Sequence, residues 1–363
     1  PEKYRYRIVD KYSFKHYVIF FAAKSLIGSE SKIHAFELRP ISKLVTRKLN
    51  RSRHNYVFLQ HGVMYMISLD AGRRAFFKKS RNKKVRQRTI VSSQLELEHF
   101  TQLGGYQEKD LYLCGLPKFD RNVLNENPSK IVVMITWRPW EFIQSLDNIE
   151  DTAYFKMLER IVENIPEAYK EHLYVLPHPL VEGQMRNTPN ALQPYIPDVV
   201  KYDDILKDTK ILITDYSSIS YDAFYRGSNI IFCWQEKDAC LLEYGVNAKL
   251  MLTKELAFGD VNEDYDLLEE LVERNYTQPQ QQKYLDNYAQ LVNFHDGHNT
   301  DRLVDLLEKY HYNGEIVKDG KLTGNVFKFN KHSFPFNSAV ILLFKLSLVK
   351  TILFISNSEF SPK

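Results

Sequence analysis

Seven short apolar runs, most of them rich in β-branched residues, recur along this chain with helix-like stretches between them, and no other feature limits the fold as much. They are YVFLQ (56–60), RTIVSS (88–93), LYLCG (111–115), IVVMIT (131–136), LYVLPH (173–178), KILIT (210–214) and NIIFCW (229–234). Runs this short, apolar on both faces, suit parallel strands covered by crossover helices. Between them, QLELEHFTQLG and YFKMLERIVENI carry apolar residues at helical spacing. The rhythm predicts an α/β fold.

At 363 residues the chain has length for two domains, and 44% hydrophobic residues supply their cores. The polar stretch NVLNENPSK (122–130) separates two sets of strand and helix units. It suggests domains at 1–125 and 126–315, followed by a tail at 316–363. In that tail, Phe334 to Ile355 is strongly apolar but includes Lys345 and Lys350. Each lysine would cost roughly 2.5–3.5 kcal/mol at a bilayer centre, so an interfacial or protein-packed helix is expected rather than a spanning one. The amino terminus has neither the apolar core nor the cleavage site of a signal peptide.

Three scattered cysteines, Cys114, Cys233 and Cys240, offer no disulfide framework or zinc-ligand spacing, as expected of a reducing, cytoplasmic compartment. The formal net charge of +4 does not argue for nucleic acid as a partner. Nine of the sixteen positions from Arg73 to Arg88 are nevertheless basic, among them Lys78, Lys79, Arg81, Lys83 and Lys84. Such a run is either a solvated face or a dock for an anionic membrane surface or polyanionic product.

Candidate chemistry sits where runs end and the chain turns, the place where parallel sheets collect ligands. His61-Gly62 follows YVFLQ: the imidazole is suited to act as a general base, and the glycine lets backbone approach a ligand. The alternative is a histidine that only completes a turn. Thr136 and Arg138 leave the fourth run together, and an arginine fork suits phosphate. His178 stands between Pro177 and Pro179. Asp215, Ser217 and Ser218 follow KILIT and open an amphipathic segment. Hydroxyls and free N–H groups at a helix start form an anion site, although a serine there can also simply cap the helix. The phosphate-loop, dinucleotide, nucleophile-elbow and HExxH patterns are absent, and Asp203-Asp204 is not placed as a DxD metal motif. Neither metal nor cofactor is implied.

Taken in order, Gln60-His61-Gly62, CGLPKFDRN (114–122), ITWRP (135–139), LPHP (176–179) and TDYSSISYDAFYRGSNIIF (214–232) resemble the successive motifs of the CDP-glycerol glycerophosphotransferase family, which includes the teichoic acid polymerases. The likeness extends from SFKHYVIFFAAKSLIGSE (13–30) to DGHNTDRLVDLL (296–307). It implies a GT-B arrangement, two Rossmann-like domains facing across a cleft, with an apparently shortened acceptor-side first domain and a CDP-donor-binding second one. On this resemblance His61 is the base on the acceptor hydroxyl and His178 faces the donor diphosphate. Arg138, Ser217 and Ser218 hold phosphate oxygens, and Thr136 and Asp215 lie near the nucleotide. Gln60, Lys118 and Ser228-Asn229 depart from the family pattern, which often has Trp, Arg and Lys-Pro there.

The expected activity is transfer of glycerol phosphate, or a related alcohol phosphate, from a CDP-linked donor to a hydroxyl of a teichoic-acid or capsule-like polymer, releasing CMP. The expected partners are that donor, a polyanionic or lipid-linked acceptor and the anionic inner face of the cell membrane, where the protein would be peripheral. Two alternatives stand beside this reading: a nucleotide-sugar glycosyltransferase on the same fold and a non-catalytic membrane-surface module.

Overall fold

The computed structural model describes residues 9–10, 13–22, 25–29, 55–71, 86–187 and 189–310. The basic residues Lys78, Lys79, Arg81, Lys83 and Lys84 and the 316–363 tail lie outside the described residues. Two compact units emerge. The first comprises Pro1–His61, Lys83–Thr89 and Leu303–Lys363; the second comprises Gly62–Asn82 and Ile90–Arg302.

The first unit is built on parallel pairing of β1 (Ser25–Gly28) with β2 (Asn55–Phe58), and of β2 with the start of β3 (Arg86–Val91), and it also contains helix α1 (Phe14–Ala22). Val57 lies opposite Ile27 on one side and Arg88 on the other. Tyr56, Val57 and Phe58 are buried, as an apolar run between two parallel neighbours should be.

In the second unit, Ile90 and Val91 finish β3, and the chain continues through α2 (Gln94–Gln102) to β4 (Leu111–Leu113), beside β3. A five-stranded sheet follows. Its strands are β5 (Lys130–Val133), β6 (Leu173–Val175), β7 (Thr209–Thr214), β8 (Asn229–Cys233) and β9 (Asp260–Asn262). The helices between and after them are α3 (Phe142–Asp147), α4 (Ala153–Glu163), α5 (Glu182–Asn187), α6 (Tyr202–Lys207), α7 (Ile219–Arg226), α8 (Lys237–Tyr244), α9 (Leu268–Thr277), α10 (Gln282–Leu291) and α11 (Asn299–Tyr310), which runs past Arg302 into the first unit's closing segment.

The sheet order is β6-β5-β7-β8-β9, and every pair is parallel. The chain therefore steps outward from β5 to β6, then returns past β5 to lay down β7, β8 and β9. Strand order reverses between β5 and β7, and in such sheets ligands settle outside the carboxyl ends of the strands at that point.

Why these segments form strands and helices is visible in their burial. All five residues of β8 are buried, and Ile131, Val133, Ile211 and Ile213 form the sheet side of a core cluster. Helix α4 closes that cluster with Tyr154, Phe155, Met157, Leu158, Ile161 and Val162, each aliphatic or aromatic group contributing roughly 1.5–3 kcal/mol when fully buried. Thr152 caps it by accepting the Phe155 N–H at 3.1 Å.

The sheets change over between Leu113 and Lys130, around the expected 125/126 boundary, while the compact units divide elsewhere. Residues 90–125 belong to the same unit as the five-stranded sheet. Specific bonds tie them there: Asp120 accepts from Asn299 N, Asn299 Nδ2 and Thr300 N, and Lys118 pairs with Asp222 at 2.7 Å.

Candidate active site

The carboxyl ends of β5 and β7 carry Thr136 and Asp215, so two of the expected site residues flank the reversal of strand order. They are bonded directly. Asp215 Oδ1 accepts from the Thr136 backbone N–H at 2.7 Å, from the Thr136 hydroxyl at 2.8 Å and from Tyr216 N at 2.6 Å. Arg138 completes the knot, donating through Nη1 to Asp215 Oδ2 at 2.7 Å and to the Thr136 carbonyl. Its Nη2 lies 3.3 Å from Met157 Sδ and 3.9 Å from the Glu236 carboxylate.

This geometry changes the part expected of Arg138. A phosphate-binding arginine presents its fork to solvent, whereas Arg138 is 1% exposed and Asp215 is 0% exposed. Burial alone would lower the guanidinium's pKa, but the Asp215 charge beside it outweighs that and holds it cationic. Arg138 and Asp215 form an internal clamp between two strand-end loops. Glu236, at the edge of the same cluster, has its carboxyl pushed up by burial.

His178 follows β6 and is half-buried. Its backbone N–H donates to Tyr154 Oη at 2.9 Å, and its ring stacks on Trp137 with centroids 6.4 Å apart. Nδ1 accepts the Leu180 N–H at 3.3 Å, so in the neutral ring the proton sits on Nε2. Burial lowers the pKa, favouring that neutral form.

Ser217 and Ser218 start α7. Ser218 is the N-cap residue, but its hydroxyl makes no cap hydrogen bond, unlike Ser93 at the start of α2, which accepts from Glu96 N at 3.1 Å. Gly62 packs against Ser218: a Cβ added to Gly62 would stand 2.4 Å from Ser218 Oγ and 2.8 Å from Ser218 Cβ. Only glycine permits so close an approach. Three residues on, the Tyr65 carbonyl accepts from Tyr221 Oη at 3.5 Å, keeping this loop along the first turns of α7.

His61, joined to Gly62, is exposed and ends the first unit's opening segment. Gln60 before it has φ 54°, a left-handed conformation that costs a non-glycine residue roughly 1–2 kcal/mol and bends the chain sharply at the end of β2.

Thus Thr136, Arg138 and Asp215 meet in one cluster, Gly62 meets Ser218, and His178 contacts Trp137 through its ring and Tyr154 through its backbone N–H. Among the described residues, no group of three His, Cys, Asp or Glu side chains is arranged to hold a metal ion. Asp120 binds the start of α11, a structural duty.

Sequence reasoning missed three supporting residues. Tyr154 and Trp137, which fix His178, look from the sequence like ordinary core aromatics. Glu96 left a signal, since Ser93-x-x-Glu96 has the form of a capping box. Its carboxylate accepts from Met64 N at 2.8 Å and Ser92 N at 2.6 Å, tying the loop after Gly62 to the end of β3.

The sequence profile of CDP-Glycerol:Poly(glycerophosphate) glycerophosphotransferase matches residues 2–309. The minor teichoic acid biosynthesis protein GgaB of Bacillus subtilis (strain 168) is 22% identical over 279 residues, covering 72% of this chain. This chain spans only 29% of GgaB's length. Among solved structures, the wall teichoic acid polymerase TagF has a TM-score of 0.56 at 17% identity, and a histidine variant of it 0.58 at 16%; each match covers 83% of this chain and 76% of the other. These likenesses show that the chain has the GT-B-like α/β fold of TagF. With the profile matched over most of its length, the chain belongs to the CDP-glycerol:poly(glycerophosphate) glycerophosphotransferase family.

Proposed function

We propose that this protein transfers glycerol phosphate from CDP-glycerol to a hydroxyl of a growing teichoic-acid-type polymer, releasing CMP. The observation that carries the reading is the approach of Gly62 to Ser218, which sets the residue after His61 against the start of α7. Family membership and the soak of a TagF histidine variant with CDPG support the choice of donor.

In the proposed step, an acceptor hydroxyl gives its proton to His61 as its oxygen bonds to the distal phosphorus of the donor. The bond from that phosphorus to the bridging oxygen breaks, and CMP leaves with the electron pair. The Ser217 and Ser218 hydroxyls and the amino end of α7 hold phosphate oxygens, with the helix dipole favouring their charge. His178 donates from Nε2 to the diphosphate as a neutral group. Thr136 lies beside the nucleotide, and the Arg138–Asp215 pair keeps the loops after β5 and β7 in register. Positioning and charge stabilisation carry most of the rate enhancement in such transfers.

The basic run that includes Lys78, Lys79, Arg81, Lys83 and Lys84 is proposed to contact the polyanionic product or an anionic membrane surface, which would make the protein peripheral to the inner face of the membrane. Among the described residues no helix is long and apolar enough to cross a bilayer.

The test is CMP release from CDP-glycerol with His61→Ala. Loss of a general base should lower turnover at least about a hundredfold while donor affinity stays within a few-fold of wild type. Full activity in the variant would remove His61 from the mechanism. Release of CMP only with sugar nucleotides, and none with CDP-glycerol or CDP-ribitol, would replace the phosphotransferase by a glycosyltransferase.

A further inference from the structure

The second unit contains a cavity of about 310 Å³ between the loop after Gly62, helix α2 and residues 247–251. Its volume is near the lower end for small-molecule sites, which run from about 300 to 1,000 Å³. Three side chains give it its character: Tyr65 offers an aromatic wall, and Asp70 and Glu98 provide carboxylates. Lys249 and Ser68 lie on the side formed with the 247–251 segment.

The cavity is preformed. Ile67 pairs with Leu250 in an antiparallel bridge, Ser68 N donates to the Lys249 carbonyl at 2.9 Å, and Met251 N donates to the Met66 carbonyl at 2.9 Å. On its other side Glu96 clamps Met64 to the end of β3. Burial and the neighbouring Glu98 charge raise the Tyr65 pKa, so its phenol keeps its proton and remains a donor.

The chemistry of the lining discriminates between ligand classes. A phosphate or diphosphate would face the carboxylates of Asp70 and Glu98 with Lys249 as the one lysine or arginine of the lining, beside the buried His99, an unfavourable field. A neutral polyhydroxylated molecule fits all of them: its hydroxyls donate to Asp70 and Glu98, accept from Lys249 and Tyr65, and its carbon face lies on the Tyr65 ring. The placement is also suitable. Tyr65 follows Gly62 by three residues, at most about 10 Å of extended chain, and Gly62 touches Ser218.

From this juxtaposition we propose that the Tyr65–Asp70–Glu98 cavity is a subsite for an uncharged alditol or monosaccharide unit of the acceptor, recognised by its hydroxyls and seated beside the transfer site. The assignment rests on the phosphotransferase reading for the word acceptor, but the binding itself does not require it.

The experiment is saturation-transfer NMR on the full chain with three separate probes: ribitol, methyl glucoside and inorganic phosphate. The expected result is saturable binding of ribitol or methyl glucoside, whichever source the unit comes from. Glu98→Gln and Asp70→Asn should each weaken it about tenfold, and inorganic phosphate should not compete. Affinity for CDP-glycerol, measured on the same variants, should be unchanged, which shows that they are folded. Absence of polyol binding with donor affinity intact, equal binding by wild type and both variants, or displacement by inorganic phosphate would each overturn the subsite. Polyol binding that behaves as expected in a chain that releases no CMP from CDP-glycerol would overturn the phosphotransferase reading alone.

Discussion

Arg138 and Asp215 are a buried ion pair separated by 77 positions in sequence, and their energetics differ from those of a surface salt bridge. Two charges removed from water are stable only while each satisfies the other, so removing one partner strands the second. Arg138→Met should therefore cost about 3–5 kcal/mol in urea unfolding, whereas the double variant Arg138→Met with Asp215→Leu should recover much of it. Equal losses for the single and double variants would mean that the pair is not coupled. The arginine and the aspartate are both evident in the sequence as strand-end polar residues. Their partnership is not, because it exists only once β7 has been placed next to β5.

At the scale of elements, the turn after β2 and the first turn of α7 constrain one another. Gly62→Ala places a methyl 2.4 Å from Ser218 Oγ, so the loop or the helix start has to shift, a form of overpacking that typically costs about 1–3 kcal/mol. We expect weaker CDP-glycerol binding and slower CMP release in this variant, and partial rescue by Ser218→Gly, which makes room for the methyl. Unchanged donor affinity in Gly62→Ala would separate the two elements functionally. In the sequence the HG dipeptide offers backbone approach to a ligand; in the structure Gly62 approaches Ser218. The seven apolar runs all became strands, because their hydrophobicity is intrinsic to the run. Strand β9 had no such signal: Asp-Val-Asn is polar at two of its three positions, and it joins the sheet at an edge through its backbone pairing with β8.

For the second unit as a whole, Asp260 on that edge strand joins two helices, α9 and α10, to the sheet by bonding Tyr284 Oη at 2.6 Å, Asn275 Nδ2 at 2.7 Å and Arg274 at 2.6 Å. Burial pushes its carboxyl up, but the hydrogen bonds from Tyr284, Asn275 and Arg274 more than offset this, and its pKa falls below the ordinary 3.8. A carboxylate with a depressed pKa stabilises the fold above its unfolded-state value, and that stability is lost as pH drops through the folded-state value. Thermal unfolding between pH 7 and pH 3 should show a stability loss below about pH 4 that Asp260→Asn reduces; identical pH profiles would exclude Asp260 as a contributor. What the sequence by itself determined is local: which runs are apolar enough to be strands, where the chain turns, and which side chains with chemical capacity stand at those turns. Only the tertiary structure decided that strand order reverses between β5 and β7, that Arg138 is locked inward on Asp215, and that Gly62 rests on Ser218. The physical reason is that strand pairing and burial join residues tens of positions apart, and a side chain's partner, unlike its hydrophobicity, is not a property of the segment that carries it.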